Sequence, residues 1–299
     1  MNKPTLGFVG AGKVGHTLAR LWYAKGFSVR AVYSRTPDHA RDLADQVGAE
    51  AVESPAEVLG LADLTFLTVP DDAIHSVVDE VEKLLRDDNA LAEKAVIHTS
   101  GALDTKVLSP LSKSGFMTGG LHPAFPFADV ETALTGLLGA TFGIEADAQV
   151  LQDWIVTLVG AVDGRIFAIP AGGKAIYHSA FVFASNYAVT LYAIAEKLLL
   201  GLGADHAVAD NALNGLLAGT VANLRQQGIP AALTGPLVRG DAETIKLHLE
   251  ALNRVDPDLV ELYRQLAQLS LPMLEARHIE TSFVEQILNR ESNHASDHS

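Results

Sequence analysis

Residues 5 to 33 read as strand, glycine-rich turn, helix and strand, an order that restricts the chain to few folds. The apolar run Thr5–Val9 leads into Gly10-Ala11-Gly12-Lys13-Val14-Gly15. Helical apolar spacing follows over Val14–Lys25, and a second buried-strand pattern covers Ser28–Tyr33. The alternation continues with strands expected at Leu64–Val69 and Ala95–Thr99 and helices at Pro37–Val47 and Ala73–Leu85. The apolar runs Phe116–Leu121, Thr141–Ile144 and Ala161–Ile166 are candidates to extend the sheet. Strands separated by helices predict a doubly wound, mainly parallel sheet covered on both faces, an α/β architecture.

The texture changes near residue 170. Lys174–Leu202, Ala207–Gln226, Asp241–Val255 and Pro257–Glu275 all have helical patterns. Gly228–Gly240 carries two prolines and three glycines and reads as a loop. The expected organisation is an α/β domain over 1–170, an all-α domain over 171–290 and a polar, disordered tail over 291–299. With 299 residues there is material for a sizeable core, and the absence of cysteine excludes disulfides and thiolate metal sites. No histidine or carboxylate spacing suggests another metal site. A net charge of −14 argues against nucleic acid or an anionic membrane as partner, and no apolar stretch is long enough to span a bilayer. A cytoplasmic protein is the expectation.

The Gly10–Gly15 segment is a G-x-G-x-x-G in the setting that gives the pattern meaning. Gly10 makes the turn, Gly12 admits a pyrophosphate, and Gly15 lets helix and strand pack closely, while the helix start offers unpaired amides to phosphate. Gly7 to Lys13 also fits the core of a P-loop, but Val14 follows and has no hydroxyl for Mg²⁺. The bland alternative is an ordinary tight turn. The second strand ends in Tyr33-Ser34-Arg35-Thr36, without the acid that binds a ribose 2′-hydroxyl. Arg35, flanked by the donors Ser34 and Thr36, suits a 2′-phosphate and hence NADP(H). Lys13 and Val14 complete the phosphate turn. Thr68-Val69-Pro70 and His98-Thr99-Ser100-Gly101 are candidate walls for the nicotinamide ribose, with Val69, Pro70 and Ser100 as contacts. Asp71 or Asp72 equally suits a helix N-cap.

Farther on, Lys174, His178, Phe181 and Ser185 fall at spacings of 4, 3 and 4, on one helical face, with Asn186 beside it. Lys174 or His178 is a candidate proton donor to a carbonyl or imine, and Asn186 a candidate to orient substrate or a cofactor amide. Satisfied structural polar groups are the alternative. His122, in the turn Gly119-Gly120-Leu121-His122-Pro123, and Thr234 and Arg239, in the loop Leu233–Asp241, are candidate substrate contacts. Asp241 reads as the cap of a helix starting at Ala242, with Thr244 at its third position.

These stretches together resemble the Rossmann-like proteins with a DUF2520 C-terminal domain, within the 6-phosphogluconate-dehydrogenase-like superfamily. The resemblance runs from about Pro4 to Leu288. It is carried by Gly10–Gly15, Ser34-Arg35-Thr36, His122-Pro123, Tyr177-His178, Ser185-Asn186, Leu233-Thr234-Gly235-Pro236 and Arg239-Gly240-Asp241. More distantly the chain is similar to pyrroline-5-carboxylate reductase, ketopantoate reductase and 3-hydroxyisobutyrate dehydrogenase. The resemblance implies an NADP-binding domain, an all-α domain used for homodimerisation, and a cleft between them. It places Lys174 where the hydroxyacid and ketopantoate enzymes keep a catalytic lysine, although here Tyr177-His178 stand where those enzymes have asparagine. The expectation is an NADPH-dependent oxidoreductase that reduces a small, carboxylate-bearing carbonyl or imine compound. A non-catalytic NADP(H) sensor and a 3-hydroxyacid-type dehydrogenase are the alternatives.

Overall fold

The computed structural model describes residues 3–84, 93–282 and 284, so the expected tail at 291–299 lies outside the described residues. The chain divides into two compact units, Met1–Thr190 and Leu191–Ser299. The compositional change near residue 170 marks where strands stop. The packing division comes some 20 residues later, because the first helix after the last strand packs back onto the sheet.

The first unit runs β1 (Leu6–Val9), α1 (Lys13–Ala24), β2 (Val29–Tyr33), α2 (Pro37–Val47), β3 (Glu50–Ala51), α3 (Pro55–Leu61), β4 (Leu64–Leu67), α4 (Asp71–Leu84) and β5 (Ala95–His98). It continues with α5 (Ser109–Lys113), β6 (Met117–Pro123), α6 (Val130–Gly136), β7 (Thr141–Ala146), α7 (Gln149–Gly160), β8 (Arg165–Ala168) and α8 (Lys174–Phe181). The strands form one sheet in the order β3-β2-β1-β4-β5-β6-β7-β8. All neighbours are parallel except β6 and β7. The first six strands therefore have the order of a dinucleotide-binding sheet.

The two faces of the sheet carry separate cores, as a parallel sheet requires. On one side Phe8, Phe66, Ile97, Leu121 and Phe142 meet Leu18 and Trp22 of α1 and Leu151, Ile155 and Leu158 of α7. Phe8 stacks on Phe66 at 5.0 Å, and buried Trp22 donates its indole N–H to the Leu158 carbonyl at 3.1 Å. On the other side Val9, Leu67 and Val96 meet Val58, Ile74, Val78 and Leu111 from α3, α4 and α5. Beyond α5 on this second side, α8 covers β6 and β7 through Lys174 and Tyr177.

Two expectations need correction. The last strand starts at Arg165 rather than Ala161, because α7 runs to Gly160 and the chain then turns tightly with Asp163 at φ 56°. The helix expected to run unbroken over Lys174–Leu202 is interrupted by a π turn at Val182–Asn186, after which α9 (Tyr187–Gly201) begins. A π turn adds a residue to the helical repeat, so the stripe read from the 4-3-4 spacing holds through Phe181 and is shifted beyond it.

The second unit is helical. It contains α10 (His206–Gln227), α11 (Pro236–Arg239), α12 (Ala242–Val255) and α13 (Pro257–Glu275). Ile245, Leu249 and Val260 form its small core with Leu237, Leu252 and Tyr263. Asp241 caps α12 as expected: it accepts from the Thr244 amide at 3.1 Å and the Thr244 hydroxyl at 2.7 Å. The 22-residue α10 buries only Ala209 and exposes Val208, Leu216, Leu217, Val221 and Leu224.

Candidate functional site

The carboxyl ends of β1, β2 and β4 enclose a cavity of about 420 Å³. Gly10-Ala11-Gly12, Tyr33-Ser34-Arg35-Thr36 and Thr68-Val69-Pro70 line it, with Ser76 and Glu80 of α4. Gly10 sits at φ 113°, where a side chain is strained, and a Cβ there would lie 2.8 Å from the Thr68 backbone. The Thr68 hydroxyl donates to the Gly10 carbonyl at 2.6 Å and fixes the turn. Gly15 is pressed against the Gly10 carbonyl, 2.1 Å from where a Cβ would be, so it serves the packing of α1 on β1. Gly12 faces open space, with nothing within 4 Å of its would-be Cβ. It precedes α1 without a capping side chain, and no acid occupies the first turn. Bare amides, a positive helix end and an open glycine are what a pyrophosphate needs. Arg35 is exposed at the rim, and no acid stands at the end of β2. The residues present fit a dinucleotide that carries a 2′-phosphate.

Next to this cavity, where β5 ends, a second group of side chains converges. Cross-strand register aligns His98 with Gly120 and Gly120 with Glu145. Lys174, the first residue of α8, reaches down onto the sheet at Gly120 and meets Glu145 Oε2 at 3.0 Å. Only 2% of the lysine side chain and 11% of the glutamate are exposed. A cation at a helix N-terminus opposes the dipole by about 0.3–1 kcal/mol, so Glu145 rather than the helix holds this ammonium in place. His98 is fully buried, with neither ring nitrogen hydrogen-bonded. Burial first, and then the Lys174 ammonium, push its pKa down to about 3.

His122 lies two residues along β6 from Gly120, on the same face. Its Nδ1 is 3.0 Å from the Tyr177 hydroxyl. Burial, Lys174 and His178 lower its pKa to about 4, and burial raises Tyr177 to about 12. Both groups are thus uncharged near neutral pH. A Cβ on Gly101 would stand 2.4 Å from His178 Nδ1 and 2.8 Å from His122 Nε2, so two imidazoles close on the same glycine just after β5. Phe181 packs against His122 and Tyr177, and Phe167 stacks on Tyr177.

Comparison with known proteins agrees with this geometry. Residues 5–100 match the family described as "NADP oxidoreductase coenzyme F420-dependent", and residues 140–270 match the "Domain of unknown function (DUF2520)". A segment similar to an NADP oxidoreductase domain is thus followed by one similar to the DUF2520 domain. It is 26% identical over 169 residues to the pyrroline-5-carboxylate reductase of Escherichia coli, a match covering 53% of this chain; the chain spans 63% of the length of the curated relatives it matches. A solved structure from Thermotoga maritima is 26% identical, with a TM-score of 0.73 over 92% of this chain and 100% of that one. Another from Bacteroides fragilis, provisionally named an NADP oxidoreductase, is 25% identical, with a TM-score of 0.71 over 89% and 97%. Over residues 5–100 the chain is thus similar to NADP oxidoreductases.

The oxidoreductase segment brings Gly10, Ala11, Gly12, Ser34, Arg35, Thr36, Val69 and Pro70 to one cavity. Lys13, Val14 and Gly15 form the start of the helix behind it. The Ser100 hydroxyl is engaged locally: it donates to Asp71 at 2.7 Å and accepts from the Leu103 amide at 2.9 Å. Asp71 and Asp72 are the first two residues of α4. The DUF2520 segment supplies Glu145, Lys174, Tyr177 and His178, and the intervening chain supplies His122. Asn186 is exposed in the π turn, while Thr234 and Arg239 are exposed in the second unit. Sequence reasoning missed Glu145 altogether and named His98 only within the His98–Gly101 candidate wall for the nicotinamide ribose, with no role of its own. Their common signal is register opposite Gly120, which appears only once β7 is known to run antiparallel to β6.

Proposed function

We propose that the chain is a cytoplasmic NADPH-dependent reductase of a small carbonyl or imine compound, functioning as a homodimer through the exposed apolar face of α10. The reading is supported chiefly by adjacency. The cavity that fits the dinucleotide ends at β4, and the next strand, β5, ends just before the glycine on which His122 and His178 converge. Phosphates go to the Gly10–Gly15 turn and the 2′-phosphate to Ser34-Arg35-Thr36. When bound, NADPH supplies hydride, and the imidazoles at Gly101 hold or deliver the proton. Lys174, committed to Glu145, sets the charge around them. Arg239 of the second unit is the proposed anchor for a substrate carboxylate, and Thr234 and Asn186 are the accessory polar contacts.

The test combines binding with turnover. Arg35→Ala should weaken NADPH about 10- to 100-fold, as loss of a charge-assisted contact does, and leave NADH affinity unchanged. NADPH oxidation should be detectable with at least one member of a panel of keto acids, aldehydes and cyclic imines. Tight NADPH binding without turnover of any of them would refute the reductase reading.

A further inference from the structure

Resting on the reductase reading, we propose that Ser100 and Asp71 are positioning residues. Their hydrogen bond is a latch that fixes the span between the dinucleotide's wall and the imidazole pair, and with it the approach of hydride to its acceptor. The β4–β5 ladder closes where the Thr99 amide donates to the Leu67 carbonyl at 3.2 Å. Past that bond both chains leave the sheet. The β4 turn runs through Val69 and Pro70, which line the cavity, to Asp71 at the head of α4. The β5 turn runs through Ser100 to Gly101, on which His122 and His178 converge. Each member of the pair therefore adjoins one half of the site. The Ser100 hydroxyl joins the halves by donating to Asp71 Oδ2 at 2.7 Å. A hydroxyl bond to a carboxylate is about twice as strong as one between neutral groups.

The Ser100 hydroxyl has no capacity left for a ligand. Its one O–H goes to Asp71, and its oxygen accepts from the Ala102 amide at 3.2 Å and the Leu103 amide at 2.9 Å. The residue is buried. Ser100 thus acts through its neighbours rather than by touching the cofactor. The two accepted amides close the turn that carries Gly101, and the donated proton ties that turn to α4. Gly101 has no side chain with which to anchor itself, so the hydroxyl beside it supplies the anchor. A similar bond lies one strand over, where the Thr68 hydroxyl donates to the Gly10 carbonyl at 2.6 Å. These hydroxyls stitch β1 to β4 and β4 to β5 at their carboxyl ends, and hold the phosphate turn, the cofactor wall and the imidazole turn in one frame. Hydride transfer needs its reacting atoms aligned about 3–3.5 Å apart, and a displacement of about 1 Å can cost about 100-fold.

The test uses the full chain, NADPH and whichever of the keto acids, aldehydes and cyclic imines it turns over. Asp71→Ala removes the acceptor and leaves both amide bonds to Ser100 in place. It should lower kcat, counted per NADPH bound, about 10- to 100-fold, while NADPH affinity stays within about twofold. Deuterium at the transferred position of NADPH should slow this variant more than the parent, because hydride transfer has become the slow step. A merely structural loss would reduce the number of NADPH sites and not the rate at each. Asp71→Asn keeps an acceptor oxygen and should recover most of the loss, and Ser100→Ala should match or exceed the defect of Asp71→Ala. An Asp71→Ala protein with parental kcat overturns the latch and leaves the reductase reading standing. NADPH affinity lost in step with kcat makes the pair a cofactor contact, which also overturns it. A parent that binds NADPH and turns over none of the panel takes down the reductase reading itself, and the latch with it.

Discussion

Replacing Lys174 by methionine separates its structural role from the proton-donor role read from sequence. The substitution keeps the bulk of the aliphatic stem and removes the ammonium, 3.0 Å from a carboxylate that is only 11% exposed. Breaking a buried pair by removing one partner leaves the other charge uncompensated and costs about 3–5 kcal/mol. In a unit of this size each kcal/mol lowers the melting temperature by about 2–4 °C, so Lys174→Met should melt about 6–20 °C below the parent near pH 8. The orphaned Glu145 carboxylate can shed its charge by taking up a proton, so the deficit should shrink toward pH 5. The double variant Lys174→Met/Glu145→Gln carries no unpaired charge and should regain most of the loss, giving a coupling of more than about 2 kcal/mol in the double-mutant cycle. Thermal melts and urea titrations of the four proteins at both pH values supply the numbers. A Lys174→Met protein as stable as the parent at pH 8 would refute the buried-pair argument. If its turnover were also lost, Lys174 would be the proton donor after all.

Two further predictions concern the glycine turn and the buried histidine. Gly12→Ala should fold as well as the parent, since its Cβ meets nothing within 4 Å, yet weaken NADPH at least about tenfold; Gly15→Ala should cost about 1–3 kcal/mol, because its Cβ would collide with the Gly10 carbonyl. Equal melting temperatures for the two variants would contradict this division of labour. His98 has a folded-state pKa far below its unfolded value, so from about pH 6.5 down to about 3 the unfolded chain binds a proton that the folded chain refuses. Stability is complete above that window and falls on acidification by up to about 1.4 kcal/mol per pH unit from this residue, and His98→Asn should flatten the slope in urea titrations at stepped pH.

The central architecture was legible because it is local. Each of the strands β1, β2, β4 and β5 is a short apolar run, and the helices between β1 and β5 that were read carry a clear apolar stripe, so period and punctuation identify them. The two-residue β3 and the short helices α3, α5 and α6 escaped because brief elements give little periodicity to read, and the 12-residue α7 because its outer face is also apolar, with Val150 and Val156 exposed. The phosphate turn was legible for a different reason. Its function lies in glycines at fixed spacing, and the structure lines one cavity with Gly10, Ala11 and Gly12. The polar cluster was only half legible. Lys174 and His178 announce themselves as polar residues on an apolar helix, but Glu145 reads as one more acid at a strand end. Its partner is 29 residues away and is chosen by strand pairing rather than by spacing. Tyr177 belonged to the resemblance without a role, since its meaning depends on the His122 ring it meets across 55 residues.

The antiparallel pairing of β6 with β7 makes this cluster intolerant of small insertions. Residues of β7 alternate between the two faces: Thr141, Gly143 and Glu145 toward α8, Phe142 and Ile144 into the opposite core. A single residue gained or lost inside Thr141–Ala146 would turn Glu145 into the apolar layer and set Ile144 or Ala146 opposite Gly120, beneath an ammonium with nothing to neutralise it. Length changes in the connection between Pro123 and Thr141 that fall outside α6, which packs on α1, leave this register intact. Among descendants of this chain, drift in length should therefore collect in that connection, while the six residues of β7 keep their count even where their identities change.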